Sequence, residues 1–422
     1  MGREALDILN IHKLTKHFYQ KWMDTTVDFP MLNVITYEDK IKAEEETEKG
    51  LDNIFEFLGD FPKGENEKIL WRIKFKKLAY DFSLRGYSKE HKKELEPYID
   101  KFLKVMGEFT KSSKSFDSKL SYEEIWQAMR NVWALVLLQI IFDQEVGLTK
   151  GIFAYSLLYP YTDNYLDSSE LSSKEKKEFN LLVKEKLEGK KVYPKDDISK
   201  KVVILLSKIE EQFERIKYDE VFKSLLAIQN AQEKSLHQQG EKNSLNEKEL
   251  LDISIEKGGT SVLVDGYLVK GKLNVDEIYF LFSFGIALQI VDDIQDIEED
   301  IRENHNTVVT KVGHRWNLDN LTKNLLGFTV DILKDLAKVN KDKNIIFENF
   351  VVKRAMHFVY FAITKNKKLY SSKFMNEFEN YLPYTLKYMT NLNKNLNKKL
   401  KRTKRKLGDK RFKEVMEYIF SA

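Results

Sequence analysis

Little in this chain interrupts a helix. Only 6 Pro and 18 Gly fall among its 422 residues, and helix-period patterns run between them. Ile125, Met129, Trp133, Val136 and Ile140 stand three or four apart, one apolar stripe of a buried helix from about Tyr122 to Gln144. The stretches from about Leu245 to Lys270 and from Asp276 to Ile301 read the same way. Ser121 before Glu123 and Glu124, and Asn274 before Asp276 and Glu277, place caps and acids at two helix starts. Strand-like alternation with hairpin turns is scarce. The expected fold class is all-α.

Composition narrows the function classes. With 42% hydrophobic and 12% aromatic residues the chain can bury a large core and is too apolar to stay disordered. Its 70 basic and 66 acidic residues nearly cancel to +4, so no nucleic-acid partner is expected. Cysteine is absent, which excludes disulfides, thiolate metal sites and a cysteine nucleophile. The first residues hold no apolar signal core, and Gly2 lacks the Ser or Thr of a myristoylation site. The longest apolar run, Val132–Ile141, contains a Gln and is too short to span a bilayer. These features give the expectation of a soluble, cytoplasmic protein.

No stretch resembles a linker, and no internal repeat stands out. One large helical domain over 1–422 is expected, with a core at about 120–372, N-terminal helices over 1–119 packing on it and a basic helical tail over 391–422. Asn391–Lys413 is dense in Lys and Arg, with Leu392, Leu396, Leu400 and Leu407 near helical spacing. It reads either as the solvated face of a terminal helix or as a basic amphipathic helix in peripheral contact with anionic lipid.

The most informative segment is Gly285–Thr307. On a helix, Asp292, Asp296 and Asp300 lie four residues apart and share one face, with Asp293 beside them and Gln289 a turn earlier. The residues before them, Phe280 to Val291, are almost wholly apolar. Like charges at that spacing destabilise a helix by a few tenths of a kcal/mol, roughly, and more where water is excluded. A hard divalent cation relieves them, and Mg²⁺ favours a few carboxylates together with substrate phosphates. The competing reading is a charged helix end running into solvent. A second acidic group sits in Tyr155–Glu170: Asp163 and Asp167 are four apart, with Asn164 as a neutral oxygen donor. Leu157, Leu158, Tyr159, Tyr161, Tyr165 and Leu166 surround them, and Pro160 is expected to kink the helix just before them. If the two helices face each other, their acids hold a cluster of about three Mg²⁺ at one end of an apolar cavity.

The third element is Ile255–Gly266. Gly258 and Gly259 weaken a helix and permit a break near Lys257 and Thr260, or else let another helix cross closely. Asp265, set among apolar neighbours, reads as a satisfied buried acid.

Together these segments resemble the type I isoprenoid synthases. Gly285-x3-Gln289-x2-Asp292-Asp293-x2-Asp296 is similar to their second aspartate-rich region, and Asp292-x3-Asp296-x3-Asp300 has the spacing of the second metal motif of class I terpene synthases. Lys257-Gly-Gly-Thr260 looks like the Lys-Thr element of prenyl synthases. Asp163-Asn-Tyr-Leu-Asp167 is similar to the DNxxD motif of bacterial long-chain terpene synthases of the tetraprenyl-β-curcumene type. The resemblance covers about Tyr122 to Ser372. It departs from the chain-elongating enzymes after the first motif: Ser168-Ser-Glu-Leu-Ser-Ser173 stands where they carry paired Arg.

The resemblance implies an isoprenoid-synthase bundle around an apolar cavity, acting on an allylic prenyl diphosphate. Asp163, Asp167, Asp292 and Asp296 are the expected catalytic metal ligands, with Asn164, Asp293 and Asp300 completing the set. Lys257, Arg302, His305 and Lys311 are expected to contact diphosphate. Trp133, Tyr155, Tyr159, Phe280 and Phe284 are the aromatic residues that could line the cavity and face a carbocation. The expected reaction is a terpene synthase's, a carbon–oxygen lyase. A prenyltransferase and a non-catalytic helical partner remain open alternatives, and so does a homodimer.

Overall fold

The computed structural model describes residues 10–26, 28–167, 171–240, 245–341 and 344–420. The side chains of Asp163, Asn164, Asp167 and Phe420 lie outside that description. The described residues are helical with no strand, apart from one isolated bridge between Gln239 and His305. First come α1 (Ile11–Asp24), α2 (Tyr37–Gly59), α3 (Glu65–Ser83) and α4 (Lys89–Phe116). Then follow α5 (Tyr122–Ile141), α6 (Lys150–Asp167), α7 (Ser173–Leu187), α8 (Asp197–Gln212), α9 (Asp219–Ser235), α10 (Glu247–Lys270) and α11 (Val275–Gln295). Two short helices, α12 (Ile297–Arg302) and α13 (Val308–Gly313), lead to α14 (Asp319–Val339) and α15 (Ile345–Lys365). Last are α16 (Ser372–Phe378), α17 (Leu386–Leu407) and α18 (Asp409–Phe420).

The expected helix starts are present. Ser121 and Glu124 form a reciprocal capping box on α5, and Asn274 and Glu277 form one on α11. Glu277 is fully buried and also accepts from Lys270 Nζ at 2.7 Å. Asn274→Ala is expected to cost about 1 kcal/mol in urea unfolding, the usual worth of an N-cap.

At the centre α10 and α11 cross with their backbones almost touching. A Cβ on Gly285 would lie 2.0 Å from the Gly258 carbonyl oxygen, and a Cβ on Gly258 would lie 2.5 Å from that of Gly285. The glycine pair therefore opens no gap in α10, which runs unbroken from Glu247 to Lys270. Of the two readings of the glycine pair the close helix crossing holds and the break does not, because close backbone packing outweighs the weak helix propensity of glycine. Around this crossing pack α1, α5, α6, α9 and α13 on one helix, and α14 and α15 on the other. One core cluster extends from Leu14 to Met389. A small satellite, Leu58, Phe61, Trp71 and Val415, joins the two ends of the chain.

The basic C-terminal stretch falls mainly in α17, which packs on α2 and α15 and buries Met389 and Leu392. Its lysines meet acids of the N-terminal helices: Lys399 pairs with Glu48 at 3.1 Å and Lys406 with Asp60 at 2.6 Å. No helix among the described residues is long and apolar enough to cross a membrane.

Candidate active site

The acid-bearing helices are placed by a hairpin and a crossing. Gln139 near the end of α5 exchanges two hydrogen bonds with the Gly147 backbone, at 3.1 and 3.2 Å, so α6 returns antiparallel to α5. The beginning of α5 and the end of α6 thus lie at one end of the bundle. Ser254 of α10 donates to Asp293 of α11 at 3.0 Å, which sets the start of α10 beside the end of α11. Arg130, midway along α5, acts electrostatically on Asp292. The backbone positions 163, 164 and 167 lie in the last turns of α6, toward the beginning of α5. The carboxylates and amide at those positions, and Ser168-Ser169-Glu170 after them, are outside the described residues. The helix is continuous through Pro160. The Thr162 hydroxyl donates to the Leu158 carbonyl at 3.1 Å across that turn.

Asp292 is open to solvent, yet burial raises its carboxyl above the ordinary range. Asp296 and Asp300 push in the same direction, while Lys257 and Arg130 oppose them. The helix ends at Gln295 and restarts at Ile297, so the three acids are not on one continuous helix as expected. The cause is tertiary. Lys365 Nζ and Asn366 Nδ2 take the Gln295 and Ile294 carbonyls, each at 2.6 Å, and Lys365 lies 3.7 Å from the Asp296 carboxylate. The Asp300 carboxylate accepts from His305 Nδ1 at 3.1 Å.

Asp293 faces the other way. It is buried, and its two oxygens accept from Gln289 Nε2 at 2.8 Å and Ser254 Oγ at 3.0 Å. Burial pushes its pKa up to about 6 from 3.8. In that window the folded state holds the proton and the unfolded state does not, so this group's stabilisation is lost as pH rises through it. Asp293→Asn mimics the protonated acid, since the Ser254 hydroxyl can turn to accept from the new amide. In magnesium-free urea titrations Asn is expected to be more stable by roughly 2–3 kcal/mol at neutral pH and equal to Asp near pH 4.

Of the residues expected at diphosphate, only Lys257 is shown acting on Asp292 and Asp293. Arg302 is exposed and 3.9 Å from Glu299, and Lys311 Nζ donates to the Leu245 carbonyl at 3.2 Å. Arg130 was missed, although it is the sole charged residue between Glu124 and Asp143. A lone cation on so apolar a helix is the signal that could have found it.

Below the acids the helix faces stay partly open. Trp133 and Leu137 share the face of α5 that carries Arg130, and Phe284 and Leu288 share the face of α11 that carries Asp292. Tyr155 and Tyr159 do the same on α6, where Tyr155 senses the charge of Asp265. Phe280 is buried and stacks on Phe284 at 5.8 Å. Asp265 is not the satisfied acid expected: among the described residues nothing donates to it, and burial alone raises its pKa far above the usual carboxylate range. The half-buried Phe284 and Leu288 precede Asp292 on α11, and Trp133 and Leu137 follow Arg130 on α5.

Among the described residues no three His, Asp or Glu gather into a ready metal-holding group. The Asp292 carboxyl is raised first by burial and then by Asp296 and Asp300, against the opposing charges of Lys257 and Arg130. A hard divalent cation suits these carboxylates.

No family model matches the chain, and no curated protein matches it. One solved structure, a decaprenyl diphosphate synthase from Rhodobacter capsulatus, aligns with 74% of this chain and 98% of its own at 12% identity and a TM-score of 0.29. So loose a likeness carries no argument. The residues have to carry it.

Proposed function

We propose that this chain is an isoprenoid synthase that ionises an allylic prenyl diphosphate, acting as a terpene synthase. The observation that supports this reading is the Asp292 carboxyl, raised by burial and by Asp296 and Asp300 and countered by Lys257 and Arg130, on a helix face that continues into half-buried Leu288 and Phe284. Asp292, Asp296 and Asp300, with Asp163, Asn164 and Asp167 from α6, would hold Mg²⁺. The ion supplies Lewis-acid stabilisation of the departing diphosphate when bound. Lys257 and Arg130 bind and orient the diphosphate oxygens. The apolar faces of α5, α6 and α11 exclude water, and Trp133, Tyr155 and Phe284 offer ring quadrupoles to a cation.

Arg130 also supports a second reading. It is a cation that the serine-rich residues after Asp167 do not supply, so prenyl transfer to a second diphosphate stays open. Incubation with a series of allylic diphosphates and Mg²⁺, with and without isopentenyl diphosphate, separates the two. A hydrocarbon or alcohol from one substrate is the expected mass. A longer diphosphate means transfer, and no magnesium-dependent diphosphate release from any substrate overturns both.

A further inference from the structure

A second site lies along α15, lined by different residues from the acids. Lys353, Met356, His357 and Tyr360 recur at helical steps and line one side of a cavity of about 620 Å³. Met31, Leu32 and Ile35, from the extended segment before α2, line the other side. That size lies within the usual range for small-molecule sites. Most of the wall is apolar, and its one acid, Asp39, accepts from the Thr36 hydroxyl at 2.8 Å.

Behind Lys353 and His357, outside the cavity wall itself, stand Arg354 and Arg85, which act electrostatically on both. Arg85 donates to Thr47 Oγ1, the Phe82 carbonyl and the Tyr384 hydroxyl, each at 2.9 Å. Arg354 donates to the Ser83 carbonyl, and its guanidinium stands 5.1 Å from the Phe350 ring. Lys353 Nζ stands 5.2 Å from the Tyr87 ring. Every partner is neutral. Burial, then the neighbouring cations, hold Lys353 and Arg354 below their ordinary pKa values and His357 at about 4. No carboxylate acts on any of the three among the described residues. Arg85 and Arg354 are each pinned by the carbonyls at the end of α3, so the cluster is held together by the fold despite its repulsion.

We propose that this cavity binds an amphiphilic anion, a single apolar chain ending in a phosphate head, with the head at Lys353 and His357 and the charges of Arg354 and Arg85 behind them. The apolar wall takes the chain. The head supplies the negative charge that these cations lack, and guanidinium and ammonium groups suit phosphate oxygens. This site does not depend on the functional reading above.

The test is calorimetric titration of the full chain in EDTA with dodecyl phosphate. One molecule per chain is expected, with inorganic phosphate, dodecanol and laurate each about tenfold weaker or more. Lys353→Met, at an exposed position, is expected to weaken binding at least about tenfold while leaving the melting temperature unchanged or higher, because a repelled cation is gone. His357→Gln is the second variant and should also weaken binding. Dodecyl phosphate binding equally to parent and Lys353→Met, or dodecanol or inorganic phosphate matching it, overturns the proposal. Laurate matching it overturns the phosphate head. Asp292→Asn should bind dodecyl phosphate as the parent does, so failure here and failure of the proposed activity are distinguishable.

Discussion

Asp292→Asn is expected to cut magnesium-dependent diphosphate release by roughly 10²–10³-fold, the scale of losing one preorganised electrostatic group at a reacting centre. The change keeps the shape of the side chain and removes one charge from a crowded set. Burial and the neighbouring Asp296 and Asp300 already disfavour that charge in the folded protein. The variant should therefore unfold at the same urea concentration as the parent or a higher one. Lost turnover with undiminished stability is the signature of a functional carboxylate that the fold would be better without. Parent-like turnover in purified Asp292→Asn protein would remove the site assignment.

Gly285→Ala is expected to destabilise the fold by about 4 kcal/mol or more, at the top of the range for a single substitution. The added methyl would meet the Gly258 carbonyl oxygen at 2.0 Å and its carbon at 2.8 Å, with Val262 at 3.2 Å. Two of those atoms are backbone, so no rotamer change makes room. α10 and α11 must separate, and with them the Ser254–Asp293 bond at 3.0 Å that aligns the acid end. Urea unfolding followed by far-ultraviolet circular dichroism gives the free energy. A loss below about 1 kcal/mol would show that the crossing relaxes freely.

Local periodicity made the helices legible. The apolar stripe from Ile125 to Ile140 lies within α5 (Tyr122–Ile141), and both expected starts carry their capping boxes. Contacts distant in sequence stayed hidden. Nothing near Asp296 ends a helix by propensity; Lys365 and Asn366 do it from α15 and just beyond. Gly258 and Gly259 looked like a weak point because their partner, Gly285, lies on another helix. The acids around Asp292 could be picked out as a group, since spacing alone gathers them, whereas the split roles of Asp292 and Asp293 depend on Ser254 across the crossing. Arg130 and the cations around Arg354 emerge only when separate helices are assembled.

The clasp on α11 bears on the order in which the molecule can be completed during synthesis. Ile294 leaves the ribosome 72 residues before Asn366, and Gln295 leaves it 70 before Lys365. A nascent chain that has already made Asp292 and Asp296 still lacks the donors that turn the backbone between Gln295 and Ile297. The acidic end of the bundle takes its final shape only when α15 has emerged and docked.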